Sequence, residues 1–331
     1  MSIQYHIYIA NIEEREDIVD FFNHEWKRAQ TLNDQDLFDY YYVDRDKLNF
    51  VVAKRDGEIA GACGFVRNDS KDIGLSNLLV RKGEDPVLVF RILNFLEEEG
   101  FSLYCVNITK EVMGIYRFYG YEVGKLKHYY KLFDRKEYKV ATIGKKEMHH
   151  SDTNWYSVIR FSTEHIFREK VKDNIFNYQR PKKSCEYVIK RYYRFPYPLY
   201  TYQVWGIERE KDYISTIFVT REQCVGGQKI LRMVDIIGSE EEMEGIGRFF
   251  ENLGRDNGYE YIDCLCYGIK DEILKKLGFV CCEDDINIIP DRLDPLEKCN
   301  AEINFFNGNM PDFRAFRADG DNDRPNIWSD K

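Results

Sequence analysis

Between Tyr5 and Ala10 apolar and polar positions alternate, which predicts a strand. From Ile12 to Trp26 the period lengthens to that of a helix, with Ile18, Val19, Phe21 and Phe22 apolar, and a second short helical stretch follows near Asp34 to Tyr41. The run LNFVVAK, the turn Arg55-Asp56-Gly57-Glu58 and the run IAGACGFV predict a β-hairpin centred on Asp-Gly, and Ile73 to Val80 adds a third strand. Asp85 as a cap and Pro86 in the first turn then open a helix with Val87, Phe90, Ile92, Leu93 and Leu96 on its apolar face. It leads to the strand SLYCVNI, a short helix from Thr109 to about Tyr119, the turn Gly120-Tyr121 and a last strand through KHYYKL.

The stretch from Asp134 to about Ser151 is polar and aperiodic, so the chain is read as two domains, 1–135 and 153–331, joined by a linker over 136–152. The same order then returns more coarsely. A helical stretch spans Thr163 to Tyr178, strands are TYQVWGIE, YISTIFVT and KILRMVDII, and a helix covers Ser239 to Arg255. Strand YIDCLCY, helix Asp271 to Leu277, the turn Gly278-Phe279 and strand INIIP complete it. The predicted fold class is α/β, in which each of two tandem domains has a central, mostly antiparallel mixed sheet flanked by helices.

Composition narrows the function. Of 331 residues, 44% are hydrophobic and 32% charged, ordinary for a folded chain. The net charge of −9 argues against a nucleic-acid partner, which needs a concentrated basic face. No targeting segment or membrane-length apolar run is present, so a cytoplasmic protein with no membrane partner is expected. Nine cysteines, including Cys264-x-Cys266 and the pair Cys281-Cys282, form no disulfide framework and are read as reduced, mostly buried thiols. Aromatic residues make up 15%, with 24 Tyr and 22 Phe, which would suit a site that stacks flat groups or sugar faces, although residue by residue core filling is the favoured reading.

The element order and the segment IYRFYGY, Ile115 to Tyr121, resemble the GNAT acyltransferase superfamily, best over residues 1–133. The resemblance implies two tandem GNAT-like domains and an acyl-CoA-dependent N-acyltransferase. It makes Tyr116 the match for the tyrosine that donates a proton to the departing thiolate. A phenol held near a thioester sulfur is chemically able to do this. The superfamily's pyrophosphate loop would fall on Arg81-Lys82-Gly83-Glu84-Asp85-Pro86, which keeps two cations and one glycine, loses the glycine pair and adds two acids. Arg81, Lys82 and Gly83 are its expected coenzyme contacts. In the second half Gly245 and Gly247 follow Ser239-Glu240-Glu241-Glu242, which reads as a capping box with glycines packed inside a helix. Leu274 stands where Tyr116 does, so the second copy is expected to have lost thioester chemistry and to help build the acceptor site.

Tandem GNAT proteins of this length resemble N-acyltransferases that act on nucleotide-linked amino sugars in surface-polysaccharide assembly, and the ending D-G-D-x-D-R-P-N is similar to that group's. The resemblance implies acyl-CoA (acetyl-CoA or a short hydroxyacyl-CoA) and a dTDP- or UDP-amino sugar as partners, with no further cofactor. Arg314, Arg317 and Arg324 could hold a pyrophosphate bidentately, and Asp319, Asp321 and Asp323 sugar hydroxyls or the amine. The three aspartates also have calcium-loop spacing, but Arg324 stands where glycine is needed and Asp330 where glutamate is, so no metal is expected. His128, on one strand face with Leu126 and Tyr130, is the candidate base, with a structural role as its alternative. A degenerate GNAT that only binds, and an acyltransferase for an amino acid, peptide or aminoglycoside amine, are the competing functions.

Overall fold

The structure is a computed structural model that describes residues 4–26, 31–69 and 71–325. Contacts divide it into two compact units. Among the described residues the first unit holds the chain up to Val123, Phe306–Asn309, and Arg324 with Pro325, and the second holds Gly124–Phe305 and Met310–Asp323.

In the first unit the elements are β1 (His6–Asn11), α1 (Arg15–Glu25), α2 (Gln35–Tyr42), β2 (Val43–Asp44), β3 (Lys47–Arg55), β4 (Glu58–Arg67), β5 (Asp72–Val80), α3 (Leu88–Glu98), β6 (Ser102–Ile108), α4 (Lys110–Tyr119) and β7 (Glu122–Lys125). The Asp34 carboxylate accepts from the Leu37 amide at 3.0 Å and starts α2. Asp56 and Gly57 take left-handed φ values of 53° and 87°, as a tight β3–β4 hairpin requires. Gly120, at φ 100°, ends α4 by donating its amide to the Tyr116 and Arg117 carbonyls.

The second unit contains β8 (Lys127–Leu132), β9 (Ser157–Phe161), α5 (Glu164–Lys170), α6 (Cys185–Val188), β10 (Tyr202–Glu210), β11 (Tyr213–Val225), β12 (Gln228–Gly238), α7 (Gly247–Asn257), β13 (Tyr261–Tyr267), α8 (Asp271–Lys276), β14 (Val280–Cys281) and β16 (Ala315–Phe316); between the last two in the chain comes β15 (Asn304–Asn307), a strand of the first sheet. The first sheet runs β1-β3-β4-β5-β6-β15-β7, with β2 beside β3. The second runs β14-β8-β13-β12-β11-β10-β9, with β16 beside β13. β5 pairs in parallel with β6 in the first sheet, and β12 with β13 in the second. The expected α/β class with two sheets flanked by helices is what the chain adopts.

Three expectations need correction. KHYYKL is a strand, but β8 pairs with β13 and β14 in the second sheet, so a first domain extending to residue 135 takes in a strand of the second unit. The place beside β6 is taken instead by β15, whose Phe306 joins the first unit's core. INIIP forms no strand, only a bridge of Ile288 to Thr142. The helix predicted from Ser239 is a 3-10 turn over Glu240–Ile246 before α7, and Ser239 makes no side-chain cap. The glycines still serve close packing, because a Cβ on Gly247 would lie 1.9 Å from Ser151 Oγ. The aperiodic junction is also more ordered than its polarity suggests. The buried Glu260 carboxylate accepts from the amides of Lys139, Val140 and Ala141 at 2.7 to 3.3 Å. All nine cysteines are free thiols, and Cys63, Cys264, Cys266, Cys281 and Cys282 are buried.

Candidate active site

In the first unit β5 and β6 form a fork. Their parallel ladder pairs Asp72, Ile73 and Gly74 with Ser102, Leu103 and Tyr104 and goes no further, although β5 continues to Val80 and β6 to Ile108. Past the fork, the edge of β5 that faces β6 offers backbone groups to an extended ligand. Cys105 sits at the branch point and donates its thiol to the Leu75 carbonyl at 3.3 Å.

Beyond the branch β5 bulges. Ala62 pairs with Leu79 and Gly64 with Ser76, so the register slips across Cys63, and Asn77 takes a left-handed φ of 51°. Side chains over-determine this conformation. Asn77 Nδ2 donates to the Tyr42 hydroxyl at 2.8 Å, and that hydroxyl lies 2.9 Å from Ser76 Oγ. Arg324 donates to Ser76 Oγ at 2.7 Å and to Tyr42 at 3.2 Å, with its guanidinium 4.7 Å above the Tyr41 ring. Sequence reasoning singled out Arg324 and missed Tyr42, Ser76 and Asn77. The polar pair Ser76-Asn77 interrupting the apolar run GLSNLLV was the available signal.

Tyr116 lies on the last turn of α4, 7% exposed, and its ring stacks on Phe306 at 4.2 Å. Its hydroxyl has no hydrogen bond to the described residues. The neighbouring tyrosines differ, because Tyr119 donates to Asn94 and Tyr121 donates to Glu97 at 2.7 Å. Burial pushes the Tyr116 phenol far above its ordinary range, and the nearby Cys105 and Cys63 add to the shift. It is therefore a neutral, proton-bearing group beside the thiol that marks the fork.

The loop over 81–86 is largely engaged by the chain itself. Arg81 pairs with Glu58 at 2.6 Å, and the buried Glu84 carboxylate meets the Tyr5 hydroxyl at 2.9 Å and Arg55 at 2.7 Å. Asp85 accepts the Val87 amide at 2.9 Å, occupying a donor of the first turn of α3. What stays open is Gly83, at φ 93° in free space, and the Lys82 ammonium, which has no partner among the described residues.

The remaining expected site residues lie in the second unit, and most of their charge is neutralised internally. His128 is 5% exposed, with Nε2 3.1 Å from Asp263. Arg317 is 0% exposed and bridges Asp263 at 2.9 Å and Asp291. Asp319 pairs with the buried Lys183 at 3.0 Å, and Asp323 with Arg191 at 2.6 Å and Arg221 at 2.9 Å. Arg314 donates to the Gly238 carbonyl at 3.0 Å and pairs with Glu240 at 3.2 Å, while Asp321 is exposed. Arg317, Asp319 and Asp323 are thus held in buried ion pairs, and His128 is buried against Asp263. Asp330, the last position of the calcium-like spacing, lies outside the described residues.

The second unit repeats the fork and closes it. The β12–β13 ladder pairs Leu231, Arg232 and Met233 with Ile262, Asp263 and Cys264. Just past it β16 adds to β13, pairing Phe316 with Cys266 and Ala315 with Tyr267. Leu274 is fully buried in the core beneath.

No family model matches this sequence, and no curated protein matches it either. Solved structures do. A GCN5-related N-acetyltransferase from Anabaena variabilis superposes with a TM-score of 0.60 at 11% identity, covering 92% of this chain and 72% of its own. A conserved protein of unknown function from Enterococcus faecalis, described as a probable N-acyltransferase, gives 0.56 at 11% identity, covering 84% of this chain and 70% of its own. The chain has the fold of the GCN5-related N-acetyltransferases, carried by two successive sheets.

Proposed function

We propose that the chain is an acyl-CoA-dependent N-acyltransferase whose acceptor is the amine of a nucleotide-linked amino sugar. The donor's pantetheine lies along β5 past the fork, and Lys82 and Gly83 meet its pyrophosphate. The acceptor nitrogen attacks the thioester carbonyl and forms the C–N bond. As the C–S bond breaks, Tyr116 gives its proton to sulfur, and the proton lost by nitrogen leaves through solvent; the products are an amide and free coenzyme A. A phenol so strongly raised is a weak acid, but the burial that raises it also raises the thiol that receives the proton.

The observation that carries this reading is the unpaired Tyr116 hydroxyl beside Cys105, where its neighbours Tyr119 and Tyr121 are hydrogen-bonded. The sugar-nucleotide acceptor rests on the resemblance of the chain's ending, and the acyl transfer on the fold. Free-thiol release with acetyl-CoA and a panel of dTDP- and UDP-amino sugars tests it. The expected result is turnover with at least one member; none, from well-folded protein, rejects the reading. The engagement of Arg81 and Asp85 within the chain favours a second reading, a protein that binds but does not turn over. Thermal stabilisation by coenzyme A without thiol release for any amine would select it.

A further inference from the structure

The segment that closes the second fork also builds a cavity of about 430 Å³, within the range of small-molecule sites. Its walls are the ends of β8 and β13 and the stretch Asp312 to Arg314, all within the second unit. We propose that this cavity holds the ring of a cationic amino sugar. The assignment deepens the acyl-transfer reading and rests on it for the acceptor's chemistry.

The cavity is a built one. Arg180 donates its amide to the Asp312 carbonyl at 3.1 Å and accepts the Arg314 amide at 2.8 Å, so the backbone on both sides of Phe313 is clamped. The strand end opposite approaches so closely that a Cβ on Gly268, at φ 81°, would lie 2.5 Å from the Phe313 carbonyl. Tyr267 and Phe313, with ring centroids 6.1 Å apart, give the cavity an aromatic wall of the kind that packs against the C–H face of a pyranose.

The charges select the ligand. Lys127 is held by Asp271 at 2.7 Å, and Arg314 by Glu240 at 3.2 Å, so both cations are already balanced and a pyrophosphate would have to break an ion pair to enter. The exposed Asp312 carboxylate has no partner among the described residues, and it lines the same cavity. A ring bearing one ammonium fits this balance, with Asp312 meeting the amine, Asp271 and Arg314 meeting hydroxyls, and the aromatic wall meeting the ring face.

Calorimetric titration of the full chain, without acyl-CoA, with the methyl glycosides of glucosamine, galactosamine and 4-amino-4,6-dideoxyglucose tests this. Saturable binding of at least one is expected, with methyl glucoside at least about fivefold weaker and Asp312→Asn losing about the same factor. Asp312 has a left-handed φ of 52°, which asparagine tolerates, so the variant should fold. No binding by any amino sugar, equal binding of methyl glucoside, or an unchanged Asp312→Asn would overturn the proposal. Thiol release is read separately. Turnover with no amino-sugar binding removes the cavity and leaves acyl transfer standing, whereas binding without turnover with any acceptor removes acyl transfer and leaves the cavity.

Discussion

A tyrosine can end a catalytic helix for packing or for chemistry, and its hydroxyl separates the two. Tyr119 and Tyr121 satisfy theirs with Asn94 and Glu97, while the buried Tyr116 carries a proton with no acceptor among the described residues. Tyr116→Phe keeps the ring and its stacking on Phe306, so folding should be unaffected while kcat falls by about 100-fold, the scale of one general acid. Because the phenol is raised well above its ordinary range, it stays protonated across the working range and kcat should hold level with rising pH up to about 10. A fall in kcat centred near pH 8 or 9 would assign the proton to another group. The place of Tyr116 in the last turn of α4 was legible from a short motif because its spacing to Gly120 is local. The partners of the tail's charges were not legible, because a run of Arg and Asp reads alike whether its charges face a ligand or one another; that depends on residues such as Lys183 and Arg221, roughly a hundred residues or more away.

At the scale of elements, the tail between Ala315 and Asp323 is fastened to the second sheet by buried ion pairs, and the acid response follows from them. Burial pushes Asp263, Asp291 and Asp323 upward, but the facing guanidiniums, Arg317 and Arg232 for the first two and Arg221 and Arg191 for the third, hold all three below the ordinary carboxylate range. Their stabilisation is complete above the unfolded value of about 4 and is lost as pH falls through the lower native values. Asp235 runs the other way. Burial raises it to about 6, so its protonated form favours the fold below about pH 4, and that contribution disappears as pH rises through 6. Three groups against one predict a midpoint for urea unfolding that drops steeply below about pH 4, and a smaller decline, on the order of 1 kcal/mol, between 5 and 7 as Asp235 gives up its proton. Asp263→Asn, which leaves Arg317 and Arg232 short of a counter-charge, should cost about 3 to 5 kcal/mol in the same assay. The order of strands and helices was legible because hydrophobic period is a local property, and β3, β4, β6 and β13 fell where it put them. Sheet membership was not, because KHYYKL has the same alternation whether β8 joins the first sheet or pairs with β13. The two-residue strand β16 is too short to show any period at all.

For the whole molecule, two copies of one fold raise the question of how many donors a chain takes, and the two forks answer differently. In the first unit β5 runs six residues past its ladder with β6, and the bulge at Asn77, braced by Tyr42 and Ser76, keeps that stretch from closing up. In the second unit the residues of β13 just past the ladder are already paired, Cys266 with Phe316 and Tyr267 with Ala315, and all but Tyr267 are buried. A pantetheine arm entering there would have to displace a backbone ladder and the ionic core that fastens it, including Arg317 against Asp263. The thioester would then face Leu274 in place of a proton donor. Coenzyme A should therefore titrate to one site per chain. Hydrogen exchange should slow on binding in residues 75–80 and in the loop 81–86, and remain unchanged in residues 231–238. Two equivalents, or protection of the second stretch, would mean that β16 yields its place to the ligand and that both forks are donor sites. Zero equivalents would instead count against the first unit as a donor site, so the titration separates the closed second fork from the open first one.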